Sequence, residues 1–95
     1  MNTTEHWFVY IVETAKGQLY TGSTNDVARR FSEHEQGRGA KYLRGKGPLR
    51  LRLEYSAGDR SSACKLEAAI KALDRNQKMA IIRKPDLLKQ LVLTD

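Results

Sequence analysis

Two tyrosines, an arginine and a histidine lie within the first 34 residues, on stretches that should belong to one core. Tyr10 and Tyr20 each fall in a hydrophobic stretch, and Arg30 and His34 are four residues apart, about one turn of a helix. Farther along the chain, Glu67 interrupts an otherwise apolar helical stripe. These side chains supply hydroxyls, cations and a carboxylate, which are the groups required to hydrolyse a phosphodiester bond.

These residue types suit the charges that develop during phosphodiester hydrolysis. The transition state carries negative charge on the phosphate oxygens, and an arginine offers them a planar, permanently charged fork. One carboxylate can hold Mg²⁺, because this ion keeps several waters and takes other ligands from the substrate. A bound metal lowers the pKa of a water molecule. A free tyrosine, with a pKa of about 10, becomes a useful base only when cations lie close to it.

The composition indicates one globular domain with a polyanionic partner. The 95 residues are enough for a single modest core, so residues 1–95 are interpreted as one domain. Seventeen Lys and Arg against eleven Asp and Glu give a net charge of +6 and a pI near 9.7. Basic proteins gain affinity for nucleic acids by releasing condensed counterions. A nucleic acid, DNA or RNA, is therefore the predicted partner, although the same charge can serve solubility alone.

Cysteine content and hydropathy predict a cytoplasmic protein without a membrane segment. Cys64 is the only cysteine, which excludes an internal disulfide, and its helical context predicts a core or boundary position. The polar stretch 1–6 does not resemble a signal peptide. No apolar run approaches the roughly 20 residues that are needed to span a bilayer.

Two β-rich stretches, Trp7–Val12 and Leu19–Thr21, predict a hairpin closed by a tight loop that ends in a glycine. If the residues flanking the loop pair with each other, Tyr20 lies opposite Val12. Side chains alternate along a strand, so Tyr10 points to the same side as Val12. This register predicts that both tyrosines share one face of the sheet, whereas a shift by one residue would separate them.

The next stretch predicts a helix that carries Arg30 and His34. Asn25 or Asp26 can cap its N-terminus, and Gly37 can end it after about Gln36. Two of the four residues in its core-facing stripe are polar. They can lie beside the sheet and face a common site, or they can mark the edge of the core and extend into solvent. The stripe consists of Val27, Arg30, Phe31 and His34.

The segment from Gln36 to Pro48 is rich in glycine and basic residues, which predicts a loop. Glycines allow such a backbone to approach a phosphate chain closely, and Tyr42 can stack on a base or a sugar. The alternative is a loop that is merely solvated. The predicted nucleic-acid contacts in this loop are Lys41, Tyr42, Arg44 and Lys46.

The remainder of the chain predicts one strand and three helices. Apolar residues alternate with polar ones over Leu49–Tyr55, as in a strand with one buried face. A helix capped by Asp59 or Ser61 should run to about Asp74 and carry Glu67 at the edge of its core stripe. Helices follow near 76–83 and 86–92, so the core is expected over about 7–82, with a helical tail at 83–95.

The ordered set of motifs resembles the GIY-YIG nuclease superfamily over residues 7–82. The matching stretches are Val9-Tyr10-Ile11 and Tyr20-Thr21-Gly22, followed by Arg30, His34 and Glu67 in the expected order. The stretches 19–24 and 39–42 look most like short, stand-alone YhbQ-like bacterial members. The resemblance implies an α+β fold with a small three-stranded antiparallel sheet flanked by helices, in the order β-β-α-β-α-α.

The same resemblance implies a metal-dependent endonuclease that hydrolyses DNA, in DNA repair or in the processing of structured DNA. It assigns one divalent ion, Mg²⁺ or Mn²⁺, to Glu67 and the scissile phosphate to Arg30. Tyr10 and Tyr20 match the motif tyrosines, one of which would orient or deprotonate the attacking water. His34 matches a position that is histidine or tyrosine elsewhere in the superfamily.

The chain departs from the family motifs without losing a functional group. Phe8 stands where the first motif has glycine, and Thr21 replaces the isoleucine of the second motif. Gly22 matches the motif glycine, where a missing side chain would leave room near the phosphate. Ser23 occupies a position at which some members have lysine. Gly22 and Ser23 complete the predicted nucleic-acid-binding residues.

Two other functions are compatible with the sequence. A non-catalytic module could retain the fold and bind nucleic acid through the basic segment Gly37–Arg52. The small domain could also depend on a protein partner for targeting, because no added DNA-binding domain is recognisable in the sequence.

Overall fold

A three-stranded antiparallel sheet with helices on both faces forms the protein, and the computed structural model describes residues 6–93. The strand order is β2-β1-β3, which confirms the predicted α+β fold. The described residues exclude 1–5 and 94–95. Most of the polar N-terminal stretch and the end of the predicted tail therefore lie outside them. The elements are β1 Trp7–Glu13, β2 Leu19–Thr24, α1 Val27–Glu35, β3 Arg50–Gly58, α2 Arg60–Lys71, α3 Arg75–Arg83 and α4 Leu88–Leu93, with 3₁₀ turns at Lys41–Leu43 and Pro85–Leu87.

The hairpin of β1 and β2 has the predicted register. Val12 lies opposite Tyr20, and the N–H of Thr14 donates to the carbonyl of Gln18 at 2.9 Å. Gly17 closes the loop with φ of 88°, a conformation that glycine adopts without a steric penalty. Because directly opposed residues point to the same side, the register brings both tyrosines to one face of the sheet.

The third strand contains a bulge that the alternating pattern did not reveal. Leu53 lies opposite Ile11 and Leu51 lies opposite Val12, so Arg52 is an extra residue in β3. The prediction of a single buried face for residues 49–55 was therefore wrong. The apolar side chain of Leu51, before the bulge, lies on the tyrosine side of the sheet and is 39% exposed. The apolar side chain of Leu53, after the bulge, packs in the cluster against α2.

Two separate hydrophobic clusters hold the helices to the sheet. Because both faces are covered, the four central residues of β1, from Val9 to Val12, are all buried. The cluster between the sheet and helices α2, α3 and α4 contains Val9, Ile11, Leu53, Ala63, Leu66, Ile70, Ile81 and Leu88. The cluster on the tyrosine side, under α1 and the glycine-rich loop, contains Tyr10, Val12, Val27, Leu43 and Leu49.

Three further residues differ from their predicted environments. Leu88 is fully buried, so the core extends past the boundary expected at residue 82. Leu43 is 1% exposed, so its buried side chain anchors the middle of the glycine-rich segment that was predicted to be a loop. Cys64 is exposed rather than in the core, because it lies on the solvent side of α2. No helix within residues 6–93 is both long and apolar enough to cross a membrane.

The variant Leu88→Ala is expected to lower the free energy of unfolding by about 2–5 kcal/mol, because it leaves a cavity in the main core. Urea unfolding followed by circular dichroism measures the change. The matched control is Leu51→Ala, where the side chain is already 39% exposed and the expected loss is below about 1 kcal/mol. Equal losses for the two variants would contradict the placement of the tail in the core.

Candidate active site

Tyr10 lies at the centre of the site, on the middle strand of the sheet. Its side chain is buried and lies against the backbone of Gly22 on β2. A Cβ atom at position 22 would lie 2.5 Å from the Tyr10 hydroxyl oxygen and 2.6 Å from the ring. Glycine is therefore required here so that the tyrosine can occupy this space. Tyr20 lies on the same face, with its ring centre 6.5 Å from that of Tyr10.

His34 contacts both tyrosines from helix α1. Its Nε2 lies 2.8 Å from the Tyr10 hydroxyl, and its ring meets that of Tyr20 edge-on at 5.5 Å. The backbone N–H of Ala40 donates to Nδ1 at 3.1 Å. Because Nδ1 accepts this hydrogen bond, the neutral ring carries its proton on Nε2. His34 therefore donates to Tyr10, and the Tyr10 hydroxyl proton remains available to another acceptor.

Burial keeps the His34 ring neutral. Desolvation, and to a lesser extent the charge of Arg30, lowers the pKa of His34 below its ordinary value. The backbone that supplies the Ala40 N–H passes close to the ring, because Gly39 has no side chain. A Cβ atom at position 39 would clash with Nδ1 of His34. The glycine-rich loop thus fixes the tautomer of the histidine.

The variant Gly39→Ala is expected to displace the His34 ring from Tyr10 without unfolding the protein, because the new methyl group occupies the position of Nδ1. The ¹⁵N chemical shifts of the imidazole should change from a single Nε2–H tautomer to a mixture. The control Gly47→Ala adds the same methyl group, with no atom nearer than 3.7 Å. Identical imidazole spectra for Gly39→Ala and the native protein would contradict this account of the loop.

Arg30 adds a cation beside the Tyr10 hydroxyl. The guanidinium Nη1 pairs with Glu33 at 3.0 Å, one turn farther along α1. The same guanidinium lies near the Tyr10 hydroxyl and lowers its pKa. Arg30 is only partly buried, so its fork remains open to a ligand from solvent.

The hydroxyl of Tyr10 is neutral at physiological pH. Burial, the neighbouring Tyr20 and the carboxylate of Glu67 raise its pKa, and Arg30 opposes them, with a net value of about 12. An additional cation at the site would lower the pKa of this hydroxyl.

Glu67 reaches the site from helix α2, on the other face of the sheet. Its Oε1 accepts a hydrogen bond from the hydroxyl of Ser23 at 2.5 Å, and its Oε2 pairs with Lys71 at 2.9 Å. Ser23 belongs to β2, an edge strand, so the carboxylate lies at the border of the sheet. The Glu67 side chain is 21% exposed and therefore accessible to an ion.

The site provides oxygen ligands that suit a hard divalent cation. Glu67 supplies a carboxylate, and the hydroxyls of Tyr10 and Tyr20 are neutral oxygens on the neighbouring face. Within residues 6–93, no group of three or more His, Cys, Asp or Glu side chains could hold a metal ion. A single carboxylate fits a hard divalent cation that retains most of its waters, whereas Zn²⁺ requires three or four protein ligands.

A row of aromatic rings extends from the site toward the glycine-rich loop. Tyr42 stacks on Tyr20 with ring centres 6.1 Å apart and an interplanar angle of 19°. Lys46 places its Nζ 3.6 Å from the centre of the Tyr42 ring, which is a cation–π contact. Tyr42 remains 44% exposed, and Lys41 and Arg44 are exposed on either side of it.

Comparison with known proteins identifies the family of this chain. Residues 6–80 match the GIY-YIG catalytic domain, which is most of the protein. The chain belongs to the GIY-YIG family. GIY-YIG proteins form a superfamily of nucleases, whose members generally depend on a divalent metal ion.

Relatives of this GIY-YIG protein cover almost its full length. UPF0213 proteins of Yersinia pestis and Yersinia pseudotuberculosis are each 52% identical over 88 residues, which is 92% of this chain and 93% of theirs. A solution structure of a UPF0213 protein from Bacillus halodurans is 35% identical, covers 95% of this chain and 99% of its own, and has a TM-score of 0.54. A solution structure of a protein from E. faecalis is 34% identical, covers 92% of this chain and 93% of its own, and has a TM-score of 0.61.

The GIY-YIG structure places four of the five predicted catalytic residues on one side of the sheet. Tyr10, Tyr20 and His34 are in contact there with Arg30 beside them, whereas Glu67 lies on the α2 side at the edge strand, hydrogen-bonded to Ser23. Two predicted nucleic-acid contacts have other neighbours: the space at Gly22 is filled by Tyr10, and Ser23 holds the carboxylate of Glu67.

Sequence reasoning overlooked three residues around this GIY-YIG site. Lys71 pairs with Glu67 four residues away, a spacing on a helix that could have been recognised. Gly39 and Ala40 contact the His34 ring, although they lie five and six residues after it in the chain. No local sequence pattern predicts that the loop folds back onto this ring. Their part in the site depends on the tertiary structure.

Proposed function

We propose that this protein is a metal-dependent endonuclease that hydrolyses phosphodiester bonds of DNA, in repair or in the processing of structured DNA. The observation that carries the proposal is the Tyr10 hydroxyl, which accepts a hydrogen bond from neutral His34 and lies beside Arg30. One hydrogen-bond donor and one nearby cation stabilise the anion of this phenol. A structural tyrosine would not need a cation and a tautomer-fixed histidine at the same atom.

In the proposed reaction, Tyr10 acts as the base. The oxygen of an attacking water forms a bond to phosphorus, its proton passes to the Tyr10 phenolate oxygen, and the bond from phosphorus to the leaving sugar oxygen breaks. The leaving oxygen takes up a proton from solvent. His34 and Arg30 donate to the phenolate and so increase the fraction of Tyr10 that is ready to accept a proton. Tyr20, on the same face, orients the water.

Arg30 has a second role at the phosphate. The guanidinium carries five N–H donors in a rigid plane, so it can pair with Glu33 and still present donors to an equatorial phosphate oxygen. Charge that develops on this oxygen in the transition state strengthens the interaction. The cation therefore stabilises the transition state more than the bound substrate.

Glu67 is the proposed metal ligand, with the substrate phosphate and waters completing the coordination. A bound Mg²⁺ or Mn²⁺ would supply positive charge at the phosphate and lower the pKa of nearby hydroxyls. Ser23 orients the carboxylate by donating a hydrogen bond to Oε1. Lys71 pairs with Oε2, and a divalent ion would displace it from this oxygen. Ser23 thus contributes to the site by positioning the ligand.

The basic loop is the proposed contact with the nucleic-acid backbone. Exposed cations on this loop neutralise phosphates, and Tyr42 offers an aromatic edge beside the site. Gly22 contributes indirectly, because it permits Tyr10 to approach β2 closely. The loop residues assigned to binding are Lys41, Tyr42, Arg44 and Lys46.

A cleavage assay tests the proposal. Labelled duplex, nicked, branched and single-stranded DNA, together with a matched RNA, are incubated with the protein in Mg²⁺, Mn²⁺ or EDTA. We expect cleavage of at least one DNA only when metal is present, and loss of that cleavage in Tyr10→Phe. Cleavage by Tyr10→Phe at the native rate would remove Tyr10 as the base, and absence of cleavage on every substrate would overturn the proposal.

The cleavage rate is expected to rise with pH between about 7 and 10. The pKa of Tyr10 is raised to about 12 in the metal-free protein, so the phenolate fraction grows tenfold for each pH unit below the operative pKa. Initial rates at saturating substrate and metal measure this dependence. A rate that falls over the same interval would indicate a different base.

The alternative is a module that binds nucleic acid without cutting it. The surface of the loop, with Lys41 and Arg44 exposed, is compatible with this function. Such a module would bind DNA with a strong dependence on salt, yet show no cleavage in any metal. The same incubations, analysed by anisotropy as well as by electrophoresis, separate the two functions.

A further inference from the structure

A basic pocket lies between the turn of the β1–β2 hairpin and the glycine-rich loop, outside the residues that the proposed reaction uses for catalysis. Its volume is about 420 Å³. Three of its lining side chains are cations, Lys16 from the turn and Arg44 and Lys46 from the loop. None of the residues that the structure describes as lining it is acidic. We propose that this pocket is a second phosphate subsite, which binds the substrate backbone one or two nucleotides from the scissile phosphate.

The two walls of the pocket are tied together by the backbone. The N–H of Ala15 in the turn donates to the carbonyl of Lys46 in the loop at 3.0 Å. The turn itself is closed by Thr14 and Gln18, and the N–H of Lys46 donates to the carbonyl of the buried Leu43. The pocket is therefore preorganised, so little backbone ordering opposes binding of a phosphate. Gly45 and Gly47 in its wall leave space for a sugar-phosphate chain to approach.

Lys46 connects the pocket to the catalytic centre. Its ammonium lies 3.6 Å from the centre of the Tyr42 ring, which stacks on Tyr20 at 6.1 Å. The contacts from Lys46 to Tyr42 and from Tyr42 to Tyr20 therefore form an unbroken line from the pocket to the catalytic face. A strand with its scissile phosphate at Arg30 would therefore carry a neighbouring phosphate past Lys46 and toward Lys16.

The charges around the pocket favour an anion there and disfavour one on the opposite side of α1. Glu13, the acidic residue that precedes the turn, forms an ion pair with Arg52. In contrast, the groove between α1 and β3 is lined by Asp26, Glu35 and Glu54, which repel a polyanion. The backbone of a nucleic acid is thus directed across the hairpin turn, a segment that the sequence identified only as a connection.

The inference rests on the proposed function for the position of the scissile phosphate, and its test uses binding as well as cleavage. Anisotropy of a labelled DNA is measured in EDTA at several salt concentrations for the native protein, Lys16→Gln and Lys89→Gln. Lys89 is an exposed lysine on α4, on the other face of the sheet, and serves as the matched control. For Lys16→Gln we expect affinity to fall about threefold or more, and the slope of log K against log salt to fall by about one.

A second measurement locates the phosphate. A series of DNAs carries one neutral methylphosphonate at each linkage near the cleavage position. The native protein should lose affinity at a linkage one or two nucleotides from that position, and Lys16→Gln should be insensitive to the same substitution. Unchanged affinity and slope for Lys16→Gln, or equal losses for Lys89→Gln, would overturn the subsite even if the native protein cuts DNA. Dependence on Lys16 in a protein that never cuts would support a phosphate-binding pocket at Lys16 and refute both the nuclease proposal and the position assigned relative to a scissile phosphate.

Discussion

The variant Glu67→Gln is expected to reduce the rate of metal-dependent DNA cleavage by about 10³-fold. Glutamine keeps the size of the side chain and can still accept the hydrogen bond from Ser23. It removes the negative charge that would hold the cation, and metal ions contribute several kcal/mol of charge stabilisation in such reactions. Initial cleavage rates in Mn²⁺, together with electron paramagnetic resonance of free Mn²⁺, measure the rate and the binding.

The matched control for this variant is Glu54→Gln, the same chemical change at an exposed glutamate in the groove between α1 and β3. It should cleave DNA and bind Mn²⁺ as the native protein does. Circular dichroism and DNA binding should be unchanged for Glu67→Gln, since its carboxylate is at the border of the sheet and outside both hydrophobic clusters. Native cleavage by Glu67→Gln, or an equal loss for the control, would refute its role as the metal ligand.

The second large effect is expected for Arg30→Lys, which should slow cleavage by roughly 10²-fold with little change in stability. Lysine keeps the positive charge and can still pair with Glu33 on the surface of α1. An ammonium is a point charge, however, and it cannot present a planar pair of donors to a phosphate while also reaching the Tyr10 hydroxyl. Single-turnover rates at saturating DNA measure the chemical step.

Glu33→Gln is the control for the ion pair of Arg30. The pair is about one-third exposed at each side chain, so its loss should change stability and turnover only slightly. If Glu33→Gln slowed cleavage as much as Arg30→Lys, the salt bridge rather than the guanidinium fork would be the important feature. Near-native turnover by Arg30→Lys would exclude Arg30 as the phosphate-binding group.

Local sequence signals were sufficient for most of the secondary structure. Asp26, Asp59 and Asp74 cap the first three helices through their side chains, and two of these caps were among those predicted from the sequence. The hairpin register followed from the length of its loop, because side chains alternate strictly along paired strands. The β3 bulge at Arg52 could not be predicted in the same way. A bulge is a property of two paired strands, and the alternation within β3 alone continues through it.

The sequence by itself determined which residue types are present, the register that brings Tyr10 and Tyr20 to one face, and the spacing of Arg30 and His34 on one helix. The register and the helical spacing both depend on residues that are near in the chain, for which the local backbone geometry is decisive. Only the tertiary structure decided the tautomer of His34, the approach of Glu67 to the edge strand and the pocket beside Lys16. These depend on loops and helices that meet across the fold, where long-range packing rather than the local pattern fixes which atoms are neighbours.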